Sequence, residues 1–266
     1  MKYRLAQFRR VISRNPIDII LFSVRMAKMI PRIIIERISS LRRNDWNIRM
    51  HEKAPLEASD LVVIEPIIGA ETLSESGKKI VASKSLTLIG HEFDISWPPN
   101  WSIDEWSTDH SSSIAYYGEG VDKDIKPFWE KHRLQWLVNI GAHASEEEDP
   151  QLASEIIDVI VTYANENPIN RGISWMEGIE VAIRSISIIT TLSILGERIG
   201  EDSLSRLKYW IALHGEWLNS HLSRKWRLNN NHLLLELIGL SVIGMQIPGH
   251  TDSQMWVEKS IELLRN

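Results

Sequence analysis

The chain contains no cysteine. Disulfides are therefore excluded, and so is any zinc site built on Cys ligands. It also lacks a positive balance. Its 30 Lys and Arg stand against 35 Asp and Glu, a formal net charge of -5, which gives no reason to expect a nucleic-acid binder. A long apolar run is missing as well. The most apolar N-terminal stretch, Ile17–Ile30, is interrupted by Asp18, Arg25 and Lys28. That stretch is too short and too charged to span a bilayer. No small-residue cleavage site follows it, so no classical export signal is read. A cytoplasmic location is the default, with export left open. Phe (4) and Tyr (5) are scarce, whereas Trp is abundant at 11. Tryptophans either fill a helical core or form platforms on which sugar rings stack. With 43% hydrophobic and 24% charged residues, a disordered chain, a collagen-like chain and a polytopic membrane protein are all excluded.

Charge divides the chain. Residues 1–43 hold eleven Lys and Arg against two acids, a local +9, and the remainder carries -14. Pro16 to about Ser40 reads as a basic amphipathic helix, with Ile20, Val24, Ala27 and Pro31 on one side. Such a helix docks on the acidic body of its own protein or lies on a membrane surface. Residues 44–123 are turn-rich and irregular. Leu86–Leu88 and Phe93–Ile95 alternate as short strands do, and Trp97-Pro-Pro-Asn-Trp101 forbids regular structure.

From about Asp124 to Asn266 the pattern becomes helical. Trp129, Trp136 and Ile140 share a helical spacing in 124–144. Asp149-Pro150 is a start signal, a capping Asp followed by Pro in the first turn, for a helix ending near Asn167-Pro168. Further helices are expected over 175–195, from Asp202-Ser203 to about Leu222, over Asn230–Met245, and from Thr251-Asp252-Ser253 onward. Helices of 15–22 residues with short links pack antiparallel in succession, so the sequence predicts a mainly α helical array.

Three strings in this region are distinctive. The first is Asn167-Pro-Ile-Asn-Arg-Gly-Ile-Ser-Trp175-Met-Glu-Gly-Ile-Glu180-Val-Ala-Ile-Arg184. The second is His214-Gly-Glu-Trp217-Leu-Asn-Ser-His221-Leu, and the third is Asn229-Asn230-Asn231-His232-Leu-Leu-Leu-Glu236. Their order and spacing resemble the N-terminal region of the heparinase II/III-like polysaccharide lyases. Asp124-Ile-Lys126, Trp129-Glu130 and Arg133 resemble a further segment of that family, and Phe93-Asp-Ile95 with Trp97 the stretch before it.

The resemblance implies an incomplete α/α toroid of helical hairpins with a cleft at one end, followed in the family by a β-sandwich domain. It implies β-elimination at a uronic acid in an acidic polysaccharide, with no cofactor and no metal. That chemistry needs donors aimed at the sugar carboxylate, a base for the C5 proton and an acid for the leaving O4. By resemblance, Asn231 and His232 are the carboxylate-neutralising pair, and Asn230 is the alternative amide. They begin a helix, where the dipole favours an anion. Without the flanking strings, Asn229–Asn231 reads as a loop and cap.

Trp175, Glu180 and Arg184 read either as cleft lining or as an i, i+4 ion pair, Glu180 with Arg184, beside a buried Trp. His214 and Trp217 share a face with His221. That face is either structural or a cleft wall with Trp217 as sugar platform. A zinc pair of His214 and His221 is disfavoured, because they stand about 10 Å apart along a helix axis. Glu177 and Glu180 lie too close on one helix to flank a glycosidic bond. The family's catalytic Tyr lies fifty to sixty residues past the Asn-His string, which here falls beyond Asn266. The chain is therefore expected to be weakly active alone, a front part completed by a β-sandwich half. The alternative is a non-catalytic carbohydrate-binding or assembly module. The acidic body favours a less charged exopolysaccharide over a heavily sulfated polymer.

Overall fold

The structure is a computed structural model that describes residues 70–95, 99, 101, 111, 124–223 and 231–265. The basic N-terminal helix expected over Pro16–Ser40 lies outside the described residues.

The described chain opens with helix α1 (Ala70–Ser83), in a region whose turn-rich sequence suggested strands and loops. The two strands expected next are present as β1 (Ser85–Leu88) and β2 (His91–Asp94). They pair antiparallel, Leu86 opposite Phe93 and Leu88 opposite His91. Ile89 and Gly90 turn the hairpin with φ of 49° and 75°. Two positive φ values in a two-residue link match the right-handed strand twist.

The helical segment expected over 124–144 is two helices, α2 (Lys126–His132) and α3 (Gln135–Glu146). Leu134 interrupts them at φ 58° while fully buried. Burial of its side chain offsets the cost of the left-handed backbone there.

Helix α4 (Pro150–Glu166) starts as its sequence signals. Asp149 Oδ1 accepts the backbone N–H groups of Gln151 and Leu152 at 2.9 and 3.0 Å. At the other end Asn167 Nδ2 donates to the Tyr163 carbonyl at 3.0 Å, and Pro168 prevents another turn. A 3-10 turn (Ile173–Trp175) precedes α5 (Gly178–Leu195), which Gly196 ends at φ 54°. Helix α6 (Glu201–His221), α7 (Asn231–Gln246) and α8 (Ser253–Arg265) complete the described chain.

Alternate helices lie side by side. Helix α3 packs against α1 and α5, and α7 packs against α5 and α8. Helices α4 and α6 form a second layer across α3, α5 and α7. This is the two-layer packing of an α/α toroid. Close approach within the first layer requires small residues: a Cβ on Gly239 of α7 would stand 2.7 Å from that of Ala182 of α5. Helix α5 is long and apolar enough to cross a membrane by composition, but 78% of it is buried inside this fold. It is buried by its neighbours because it is the central helix of the layer.

All the described tryptophans are buried: 101, 129, 136, 175, 210, 217 and 256. They pack with Tyr163, His132 and His214 rather than presenting open faces. Trp101 meets Tyr163 edge-on at 4.8 Å, and Trp210 meets His214 edge-on at 4.3 Å. For these residues, core filling explains the high Trp content.

Candidate active site

The alternation of helix directions gathers particular termini at one end of the fold. The N-termini of α5 and α7 meet the C-termini of α4 and α6 there, together with the Arg133–Leu134 junction. The three distinctive sequence strings all pass through this end. Asn231 is exposed and His232 half-buried in the first turn of α7. Asn230 lies outside the described residues.

Beneath this rim, Glu236 is fully buried one turn after His232. Its Oε2 accepts the Ser223 backbone N–H, and its Oε1 accepts the Ser223 hydroxyl, both at 2.6 Å. A Cβ on Gly178, the first residue of α5, would stand 2.5 Å from Glu236 Oε1. Only glycine leaves room for the carboxyl group. Burial raises the pKa of Glu236, and the Glu177 charge adds to that; the Ser223 hydrogen bonds and the His232 charge oppose it.

Sequence spacing paired Glu180 with Arg184, and the structure corrects this. Glu180 is buried and takes a bidentate ion pair from Arg133, Nε to Oε2 at 2.8 Å and Nη2 to Oε1 at 2.9 Å. Arg133 also pairs with Glu130. Burial opposes the Arg133 charge, but the Glu180 and Glu130 contacts outweigh it and raise its pKa. Arg133 reaches this carboxylate from the α2–α3 junction with both arms of its fork, whereas Arg184 spends its donors on Ser174 and His214.

Arg184 points the other way, into the core, and is fully buried. Its Nη1 donates to the Ser174 carbonyl at 2.9 Å, and its Nε donates to His214 Nε2 at 3.1 Å. The guanidinium lies 4.9 Å over the Trp175 ring. His214 Nδ1 sits 2.9 Å from the Trp210 carbonyl. A carbonyl only accepts, so Nδ1 carries the proton and Nε2 is the acceptor for Arg184. Burial, and then the Arg184 charge, hold the His214 pKa well below 6.5. The imidazole is therefore neutral.

Trp175 donates its indole N–H to the Asn167 carbonyl at 3.0 Å. Trp217 donates its own to Asn170 Oδ1 at 2.7 Å, and its ring stacks on His221 at 3.9 Å. Asn170 holds φ 64°, a turn conformation that asparagine tolerates. The sequence reading offered Trp175, Arg184, His214 and Trp217 as cleft lining. The structure places all four in the interior, where Arg184, His214 and Trp217 hold the Asn167–Met176 turn, Trp175 included, from below. Among the described residues of the proposed set, Asn231 and His232 are the ones that reach the rim surface. Sequence reasoning quoted Arg133 and Glu236 within its strings but gave them no role, and it left out Ser223. The signals available were the Trp129-Glu130…Arg133 spacing and the placement of Glu236 four residues after His232.

The family described as Heparinase II/III N-terminus matches residues 61–266. No curated protein matches the chain. Two solved proteins share its fold. The heparan sulfate lyase HepC from Pedobacter heparinus is 17% identical with a TM-score of 0.58, over 80% of this chain and 32% of that one. The Heparinase III-BT4657 gene product is 15% identical with a TM-score of 0.53, over 91% of this chain and 36% of that one. The chain spans about a third of the length of these solved structures.

Proposed function

The chain belongs to the Heparinase II/III N-terminus family, and on that premise we propose that it is the N-terminal part of a polysaccharide lyase acting by β-elimination on a uronic-acid-containing polysaccharide. The observation that carries this reading is the placement of Asn231 and His232. Both stand at the surface end of α7, in the first turn, while Glu236 with Ser223 and Glu180 with Arg133 are tied in pairs below them.

In the reaction a base takes the C5 proton of the uronate. The electron pair forms the C4–C5 double bond, the C4–O4 bond breaks, and O4 leaves with a proton. The C5 proton becomes removable only when the adjacent carboxylate is neutralised. The Asn231 amide and the His232 imidazole are donors for that carboxylate, and the α7 N-terminus favours the same anion. Asn230 is the alternative amide. We assign this chain the carboxylate-binding half of the reaction and weak turnover by itself. Trp175, Glu180, Arg184, His214 and Trp217 enter as the scaffold that holds the rim. The preferred substrate is a less charged exopolysaccharide rather than a heavily sulfated polymer, in keeping with the acidic body.

The test compares the intact chain with His232→Ala and Asn231→Ala. Affinity for alginate and heparan sulfate oligosaccharides is measured by calorimetry, and 4,5-unsaturated uronate by its absorbance. The reading expects weakened binding in both variants and little product from any of the three. Unchanged affinity in both variants would sink the carboxylate-binding assignment. Strong product formation by the intact chain would sink the weak-alone assignment.

A further inference from the structure

We infer that Glu236 is a positioning residue for the Asn231–His232 pair, acting as a clasp that ties the end of α6 to the first turns of α7. The inference deepens the carboxylate-binding reading and rests on it.

A carboxylate buried to zero exposure is costly unless something compensates it. Here the compensation is local: both oxygens are taken by one residue, Ser223, through its backbone N–H and its hydroxyl. Ser223 is the second residue after the last turn of α6, which ends at His221. Glu236 lies in the second turn of α7, which begins at Asn231. The pair of bonds therefore fixes the exit of one helix against the entry of the next. The Glu236 anchor stands one turn after Asn231 and His232 on the same helix. A third element is locked into the same contact, because Gly178 at the start of α5 is shaped to the Glu236 carboxyl group. Three termini that must stay in register for a rim site thus meet on one carboxylate.

The clasp also faces His232. Residues four apart share a helix face, so the Glu236 carboxylate and the His232 ring look the same way. The charged groups that act on Glu236 are His232 on its own helix and Glu177 just before α5. A leucine at position 236 would fill a similar volume but would tie nothing. The carboxylate is explained by what it holds.

The experiment uses the intact chain with Ser223→Ala, Glu236→Leu and the double variant. NMR of ring-labelled histidine reads the His232 resonances, and calorimetry reads affinity for an alginate oligosaccharide. Expected are displaced His232 resonances and about tenfold weaker binding in each single variant. The double variant should be no worse than Glu236→Leu, because both changes open one clasp. The His214 and His250 resonances should stay in place, which a general loss of structure would not allow. Ser223→Ala removes only a hydroxyl, so it keeps the test alive should Glu236→Leu fail to fold. Unmoved His232 resonances in Ser223→Ala and Glu236→Leu would overturn the clasp. Full affinity in those two variants beside lost affinity in His232→Ala would also overturn it, and would leave the carboxylate-binding reading standing. Full affinity in His232→Ala and Asn231→Ala would instead overturn that reading, with the His232 resonances still deciding the clasp.

Discussion

Arg184 donates its Nε–H to the bare Nε2 of His214, 3.1 Å away, with both side chains wholly buried. A cation thus uses a neutral imidazole as its acceptor in the middle of a helical core. The arrangement works because the Trp210 carbonyl fixes the imidazole tautomer from the other side. It also extends to the rim, since Arg184 holds the Ser174 carbonyl and with it the turn before α5.

His214→Phe removes this bond together with the one to the Trp210 carbonyl. Phenylalanine keeps a ring among Trp175, Trp210 and Arg184 but offers no acceptor. A charged donor left unpaired in the interior costs about 2–3 kcal/mol. Urea unfolding at pH 7.5 should show a loss of that size. A loss below about 0.5 kcal/mol would mean that ring packing, and not the hydrogen bond, is what His214 contributes.

The same residue sets a pH dependence. The folded His214 pKa is held well below 6.5, whereas in the unfolded chain it returns to about the ordinary value. As pH falls through about 6.5 the unfolded chain takes up a proton that the folded one refuses. Stability is lost in that direction, by up to about 1.4 kcal/mol per pH unit from this group. Glu236 acts with the opposite sign, because its raised pKa makes the folded state take up a proton first as pH falls. The wild-type minus His214→Phe difference in unfolding free energy, measured from pH 8 to 5, should shrink as pH falls below about 6.5. A difference independent of pH contradicts a neutral buried His214.

Arg133 and Glu180 should be coupled strongly and specifically. A partly buried bidentate pair loses about 3 kcal/mol when one partner is removed, mostly from the charge left behind. Removing both recovers part of that loss. A double-mutant cycle with Arg133→Met and Glu180→Gln should therefore give a coupling energy above about 1 kcal/mol. The corresponding Glu180–Arg184 cycle should give a smaller one. Reversed magnitudes would restore the i, i+4 pairing that the sequence suggested.

That pairing shows where sequence reading stops. Asp149-Pro150, Asn167-Pro168 and Gly196 mark helix ends by local backbone chemistry, so those ends are legible from a few residues. The Asn-His string is legible by resemblance, and its place at the start of α7 follows from the same local signals. Partners distant in sequence are different. Glu180 could reach Arg184 or Arg133, and only the α2–α3 junction, set by Leu134 in a left-handed conformation, decides between them. Nor does spacing tell a rim Trp from a core Trp. Trp175 in its turn and Trp217 on its helix look the same in sequence either way, and tertiary packing puts both below the surface. Helix α1 was missed because its polar Ala70–Ser83 sequence resembles a loop until Gly77 is seen to seat it on α3.

Asn231 and His232 separate function from stability. Asn231 is exposed and His232 half-buried, so neither anchors the core. His232→Ala should change unfolding free energy by no more than about 1 kcal/mol. Its effect belongs in oligosaccharide affinity. A large drop in melting temperature with proportionate loss of binding would make His232 a structural residue and remove it from the site.

Gly178→Ala tests the rim from its underside. The added methyl would stand 2.5 Å from Glu236 Oε1 and 2.7 Å from Cδ, closer than real Cβ contacts come. Either the carboxyl group swings off Ser223 or α5 shifts away from α7. Overpacking of this kind costs about 1–3 kcal/mol. Gly200→Ala is the control, since a Cβ there meets nothing within 4 Å and its φ is -64°. That change should cost no more than about 0.5 kcal/mol, the usual loss of a small capping preference. Because Gly178 faces the Glu236 clasp and Gly200 does not, Gly178→Ala should also displace the His232 ring resonances while Gly200→Ala leaves them alone. If the two alanines behave alike in both measurements, the tight fit between α5 and the Glu236 carboxyl group is not what holds this end of the fold in register.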